Sequence, residues 1–142
     1  MSEITRSLVS QLRRFVGDRR RFRRKRARLP FNLSLIGPAL SRNGSKRVKT
    51  LRGHTLDVSE TGLALIVPAI LLGEHHLIGE NRRLRVELQL TSGNVEMEVL
   101  PIRYESLEEH QTETGYLIGA KIVDMSEDDR IRFTQFVNDL PG

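Results

Sequence analysis

Three residues near the middle of this 142-residue chain are spaced so that they could bind a ligand together. Asp57, Ser59 and Gly62 stand at offsets 0, 2 and 5, directly before an apolar segment. In an extended chain the side chains at offsets 0 and 2 share a face. A carboxylate there accepts hydrogen bonds and a hydroxyl donates and accepts, while glycine allows a positive φ or the close approach of another group. Because these residue types also form ordinary turns, the pattern alone favours a turn.

A run of basic residues precedes this group. Ten of the 16 residues from 13 to 28 are Lys or Arg. Residues 1–28 carry a net charge of +9 and residues 29–142 one of −4, within a whole-chain charge of +5. This asymmetry indicates an anionic partner, which could be nucleic acid, a membrane surface or a small phosphate-bearing ligand. A guanidinium suits all three, since it pairs bidentately with phosphate or with guanine O6/N7 and stacks on a purine face.

Other chemistry finds little support in the residues. The chain has no cysteine, which excludes disulfides and cysteine-based metal or redox chemistry. No Ser–His arrangement resembles a nucleophile with its base. The His75–His76 pair lacks a third ligand at metal spacing. We therefore predict that the protein is not an enzyme, with no catalytic residue, no metal and no cofactor.

The elements that position these residues are mainly strands. Residues 84–90 alternate cleanly between apolar and polar, and several similar short segments follow one another with turn residues between them. Short strands at this spacing predict an antiparallel barrel or sandwich. The predicted strands are 29–36, 47–57, 62–67, 84–90, 95–104 and 116–123. Residues 37–46 are predicted as a loop and residues 92–94 as a turn. Pro30 predicts an edge strand or a first strand residue, and Pro101 a bulge or an edge position.

Two helices flank the strands. Residues 3–16 place apolar side chains at helical spacing, which predicts an amphipathic helix that packs on the body or a second copy, or lies on an anionic membrane. Residues 18–28 are too cationic to fold on themselves, and we expect them to be extended or mobile. Ser126, followed by Asp129, predicts the start of a C-terminal helix. Its predicted apolar face comprises Ile131, Phe133, Phe136, Val137 and Leu140.

The two groups of candidate ligand-binding residues together carry a family resemblance. Arg24-x-x-x-Arg28, followed by Asp57-x-Ser59-x-x-Gly62, resembles the PilZ domain, a bacterial receptor for cyclic di-GMP, over about residues 19–140. The resemblance implies a mostly β fold: a six-stranded antiparallel barrel with a flexible basic leader and a C-terminal helix, here with the N-terminal amphipathic helix added. It divides the chain into a helical extension, 1–18, and a barrel domain, 19–142, whose arginine-rich switch segment is 19–28.

The arginine run permits more than one register of the first motif. Arg19/Arg23 and Arg20/Arg24 have the same spacing, but Arg28 directly precedes the first strand, as in the family. The resemblance then implies that Arg24 and Arg28 contact guanine edges and phosphates.

The remaining site residues follow from the same resemblance. Arg23 assists the two arginines, while Asp57, Ser59 and Gly62 shape the barrel side of the site. Gly119 matches a glycine common in the late strand of the family, and a bulge or tight packing explains it equally well.

These features predict a non-catalytic receptor for cyclic di-GMP in second-messenger signalling. Ligand binding would order the arginine-rich segment over the barrel and relay the signal to a partner protein.

No apolar run approaches the roughly 18 residues of a spanning helix, so we expect a cytoplasmic protein, with attachment to the inner membrane face through residues 3–28 as an option. The alternative function is binding of nucleic acid or an anionic membrane through the arginine run; few aromatic residues interrupt that run, which argues against nucleic acid.

Overall fold

The computed structural model describes residues 23–36, 50–73, 75–79, 82–107 and 115–141. The predicted N-terminal helix, most of the basic run and the predicted loop 37–46 lie outside the described residues. The strands and the helix are β1 Lys25–Arg26, β2 Pro30–Leu35, β3 Leu51–Val58, β4 Gly62–Val67, β5 Leu71–Leu72, β6 His75–His76, β7 Leu84–Leu90, β8 Gly93–Ser106, β9 Tyr116–Met125 and α1 Glu127–Asp139.

Six of the strands close into an antiparallel barrel. The order is β3-β2-β7-β8-β9-β4, and β4 pairs again with β3. The prediction of a mostly β, six-stranded antiparallel barrel with a C-terminal helix is confirmed. The two-residue strand β1, on the edge of β3, and the β5–β6 ribbon were not predicted, because two residues are too few to show a period.

The interior of the barrel is filled by side chains. Along β7 buried and exposed residues alternate without a break. Val86 stands opposite Leu33 of β2 and Met97 of β8, and all three are at most 1% exposed. A barrel of this size is filled by its own side chains and leaves no room for a large ligand. A ligand must therefore bind to the outer face or at an end.

Turns and prolines fall where backbone chemistry favours them. Pro30 is the first residue of β2, where its missing N–H costs no ladder bond, as predicted. The register of β8 shifts just after Pro101, so of the bulge and the edge position predicted for this residue the bulge is observed. The turn before β8 was predicted at residues 92–94, but Leu90 pairs with Gly93, so the loop is residues 91–92. Gly93, which follows this loop, has a φ of +128°, a conformation that glycine adopts at no steric cost.

Helix α1 packs against the barrel through part of its predicted face. Ser126 is the N-cap, and its hydroxyl accepts the N–H of Asp129 at 3.2 Å, as predicted. Phe133 and Val137 are buried, whereas Ile131 is 59% exposed, so its assignment to the apolar face was wrong. Residue 131 precedes Phe133 by two positions, about 200° around the helix, and so points away from the barrel. Within the described ranges, α1 is neither long enough nor apolar enough to cross a membrane.

Candidate ligand-binding site

A bulge in β3 turns Asp57 to the outer face of the barrel. Thr55 stands opposite Leu65 of β4, which belongs to the core, so Thr55 faces inward. The register then shifts, and Asp57 stands opposite Ala64, whose side chain points the other way. Without the extra residue Leu56, Asp57 would share the inward face with Thr55. The bulge therefore places this carboxylate on the outside of the β3–β4 hairpin.

Ser59 holds the turn between these two strands. Its backbone N–H donates to the Gly62 carbonyl at 2.9 Å. Its hydroxyl accepts the N–H groups of Gly62, at 3.1 Å, and Thr61, at 3.3 Å. The side chain is 1% exposed. Ser59 thus positions the turn. The motif forms an ordinary turn and, through that turn, also places the candidate ligand-binding residues.

Gly62 is needed for close packing, not for an unusual φ. It does not belong to the glycines with positive φ. A Cβ atom at this position would lie 3.0 Å from the Ala120 carbonyl oxygen and 3.4 Å from Arg24 Nη2. Of the two roles that the sequence left open, close approach is the one observed. The Arg24 guanidinium rests over the space that a side chain here would occupy.

The Arg24 guanidinium is buried against Asp57. Its Nη1 donates to Asp57 Oδ1 at 2.7 Å, and the two side chains are only 3% and 1% exposed. Arg24 Nε and Asp57 Oδ2 are also buried, and neither has a hydrogen-bond partner among the described residues. A buried polar atom without a partner carries a desolvation penalty of about 1–3 kcal/mol. The pair is therefore held by one bond, with a second donor and a second acceptor unused.

The segment from Arg24 to β2 runs along β3. In β1, Lys25 and Arg26 pair with the last two residues of β3. The Thr55 hydroxyl accepts the Leu29 N–H at 2.9 Å and donates to the Ala27 carbonyl, so it closes the gap between β1 and β2. We expected residues 18–28 to be extended or mobile. Over 23–28 the chain is extended and attached to the barrel, while 18–22 lie outside the described residues.

Lys25 explains part of this attachment, because it binds the end of helix α1. Its ammonium donates to the carbonyls of Val137, at 2.9 Å, Asn138, at 3.2 Å, and Leu140, at 2.9 Å. Helix α1 has no basic residue in its last turn, and a cation there interacts favourably with the helix dipole. Sequence analysis missed this role, because no local pattern relates residues 112 or more positions apart.

Arg28 and Arg23 take no part in the buried pair. Both are exposed. Arg28 lines an open groove of about 450 Å³ on the barrel surface. The structure thus brings together Arg24, Asp57, Ser59 and Gly62, and places Arg28 at a neighbouring groove. The groove is further lined by Arg52, Gly53, His54, Ile66, Val67 and Pro68.

The remaining residues singled out by the sequence have structural partners. Gly119 stands opposite Ala64 in β4 and next to the register shift between β8 and β9, in line with a bulge. His76 Nδ1 accepts the N–H of Ile78 at 3.0 Å. In the described part of the chain, no three His, Cys, Asp or Glu side chains are grouped closely enough to hold a metal ion.

Comparison with known proteins identifies relatives of this barrel. The family model described as PilZ domain matches residues 18–139. The PilZ domain of YcgR from Escherichia coli, solved with c-di-GMP, is 18% identical with a TM-score of 0.58, over 87% of this chain and 92% of that one. The inhibitor of motility MotI/DgrA of Bacillus subtilis is 17% identical with a TM-score of 0.59, over 86% of this chain and 50% of that one.

A third similar structure is the MrkH–c-di-GMP complex of K. pneumonia. It is 17% identical with a TM-score of 0.60, over 87% of this chain and 52% of that one. The chain thus spans about half the length of MotI/DgrA and MrkH. At these identities the three structures show a common fold. No curated protein matches the chain.

Proposed function

The chain belongs to the PilZ domain family, and on this premise we propose that it is a non-catalytic receptor for cyclic di-GMP. The observation that supports the proposal is the cluster of Arg24, Asp57 and Gly62 on the outer face of the β3–β4 hairpin, with exposed Arg28 nearby. Two of the similar structures, those of YcgR and MrkH, contain c-di-GMP.

The chemistry of the cluster suits this ligand. Cyclic di-GMP has two phosphates and two guanines. A guanidinium can bind the phosphates or guanine O6/N7, and a carboxylate can accept from guanine N1–H and N2–H. Adenine presents a different donor and acceptor pattern, so a carboxylate at Asp57 would favour guanine. Arg23 and Arg28 are exposed and would supply further cationic contacts.

Ligand binding requires the Arg24–Asp57 pair to exchange partners. Because Asp57 is 1% exposed beneath Arg24, a guanine reaches Oδ2 only when the guanidinium moves outward. Arg24 would then bind a ligand phosphate or guanine O6/N7, and guanine N–H groups would take its place on Asp57. Both charges keep a partner throughout this exchange, which avoids the large penalty of an unpaired buried charge.

The exchange offers a route for the signal. Arg24 is followed directly by Lys25, whose ammonium binds the carbonyls at the end of α1. Outward movement of Arg24 would rearrange the attached residues 23–28, so that segment 19–28 becomes ordered over the ligand, and would change the contact with α1. The altered surface would be recognised by a partner protein. This signalling would take place in the cytoplasm, and residues 3–28 could attach the protein to the inner membrane face.

A comparative titration tests the proposal. Purified protein is titrated with cyclic di-GMP, GTP and single-stranded DNA, each at two salt concentrations, by isothermal calorimetry. We expect saturable binding of cyclic di-GMP, with much weaker binding of the other two. Preferential binding of DNA with a steep salt dependence would instead support a general nucleic-acid protein, and absence of binding to cyclic di-GMP would refute the proposal.

A further inference from the structure

The groove next to Arg28 contains a second arginine that belongs to neither sequence motif. We propose that Arg52, together with Arg28, forms a second half-site that holds one phosphate and one purine face of the ligand, while Arg24 and Asp57 hold the other half. This inference rests on the proposed function. It assigns a binding role to Arg52 and makes the outer face of β3 one continuous ligand surface.

The fold directs Arg52 into this groove. Arg52 and His54 are two positions apart in β3, so their side chains share a face, and His54 stands opposite Ile66. Between them, a Cβ atom at Gly53 would lie 2.2 Å from the Ile66 carbonyl oxygen and 2.7 Å from Phe31 Cζ. Only glycine allows β3 to lie this close to β4 and the core. The Gly53 backbone itself therefore lines the groove between Arg52 and His54.

The lining of the groove selects for an anion attached to a flat apolar body. Among the described residues, two arginines line the groove and no carboxylate does. Within the described part of the chain, neither Arg28 nor Arg52 forms an ion pair with a carboxylate. Ile66 and Pro68 provide apolar contact. A guanidinium binds phosphate bidentately and stacks on a purine, so a purine nucleotide meets both properties of this surface.

The two half-sites are close enough for one ligand. Asp57 and Arg52 lie on the same outer face of β3, five positions apart. At the rise of a strand this corresponds to at most roughly 17 Å between their Cα atoms, part of which the long Arg52 side chain can bridge. A cyclic dinucleotide carries two nucleotides on one compact ring, so its halves can contact both ends of this surface simultaneously. A mononucleotide can contact only one end.

The test combines a variant with a spectral map. Arg52→Gln removes the cation from an exposed position, and Arg85→Gln is the matched control, an exposed arginine on β7 of the barrel. Loss of a charge-assisted contact predicts a Kd for cyclic di-GMP about tenfold or more weaker in Arg52→Gln. We expect Arg85→Gln to match the wild type. Circular dichroism of each variant reports whether the fold is retained.

The spectral map does not depend on a variant. Cyclic di-GMP is added to ¹⁵N-labelled wild type, and we expect the amide signals of residues 52–54 to shift along with those of residues 57–62, while those of β7 stay in place. If the wild type binds cyclic di-GMP and the Kd of Arg52→Gln is within twofold of the wild-type value, this inference is overturned and the proposed function stands. The same holds if the wild type binds and the amide signals of residues 52–54 do not move. No binding by the wild type would refute the proposed function itself.

Discussion

Arg24 Nη1 lies 2.7 Å from Asp57 Oδ1, with both side chains almost fully buried. These residues belong to two motifs 33 positions apart in the chain. The motifs therefore contact each other directly, and the first is attached to the barrel through this pair, through Thr55 and through Lys25. The same ion pair that stabilises the attachment must open for a guanine to reach Asp57. Stability and ligand binding are coupled at this one contact.

The two members of the pair should differ in their effect on stability. Asp57 is fixed in a barrel strand, so Arg24→Ala leaves a buried carboxylate unpaired, and we expect a loss of about 3 kcal/mol or more in the free energy of unfolding. Arg24 lies outside the barrel strands and can turn its guanidinium to water, so Asp57→Ala should cost less, about 1–2 kcal/mol. Urea unfolding measures both values.

A neighbouring arginine is the control for this comparison. Arg26 is exposed in β1, so Arg26→Ala should change the free energy of unfolding by less than about 0.5 kcal/mol. The double variant, with both Arg24 and Asp57 changed to alanine, should cost less than the sum of the single variants. Equal losses in the two single variants, or full additivity, would contradict the burial of the pair.

Gly62 should resist the addition of a single methyl group. The new Cβ would lie 3.0 Å from the Ala120 carbonyl oxygen, which β4–β9 pairing holds in place. Gly62→Ala should therefore lower the free energy of unfolding by roughly 1 kcal/mol, since overpacking outweighs the entropic gain of replacing glycine. It should also weaken binding of cyclic di-GMP, because the methyl group narrows the barrel side of the proposed site.

Gly79 is a matched control for this change. Among the described residues, no atom lies closer than 3.6 Å to a Cβ at Gly79, so Gly79→Ala should be neutral or slightly stabilising. Thermal unfolding and calorimetry compare the two variants directly. Equal behaviour of both would show that the space over Gly62 is not restricted.

Lys25 should stabilise the end of helix α1. Lys25→Met retains the length of the side chain and removes the charge and three hydrogen bonds. We expect a loss of about 1–2 kcal/mol in the free energy of unfolding and faster hydrogen exchange of the amides near Val137. The exchange of amides near Phe133 should change little. Arg26→Met should leave exchange unchanged. If Lys25→Met leaves the hydrogen exchange near Val137 unaltered, Lys25 does not stabilise the end of α1.

Asp129 should make stability depend on pH in the acid range. The Glu96 N–H, which its carboxylate accepts at 3.0 Å, and the adjacent Arg132 guanidinium lower the pKa of Asp129 below its usual 3.8. A carboxyl whose pKa is lower in the folded than in the unfolded state stabilises the protein at pH values above its unfolded-state pKa. This contribution is lost as the pH falls through its folded-state pKa. Asp129→Asn should thus destabilise at pH 7 by about 0.5–1.5 kcal/mol. The difference from wild type should shrink steadily below pH 4, as followed by urea unfolding; a constant difference would contradict this assignment.

Local patterns in the sequence predict the barrel well and the site in part. β4 and β7 have the predicted bounds, because apolar residues that fill a barrel interior repeat with the period of a strand. The bulge at Leu56 leaves no such signal, yet it decides which way Asp57 faces. Contacts between distant residues, such as Lys25 with α1, depend on the closed fold. Arg52 resembles any exposed strand residue until β3 and β4 are placed side by side.

The affinity of Arg28→Ala for cyclic di-GMP tests the central claim most directly. Arg28 is exposed and makes no ion pair among the described residues, so its removal should leave the fold unchanged, unlike removal of Arg24 or Asp57. By calorimetry, the wild type should bind saturably, and Arg28→Ala should bind about 100-fold more weakly or not at all, while Arg85→Ala binds like the wild type. Equal affinity of Arg28→Ala and wild type, or no binding by the wild type, would contradict the account.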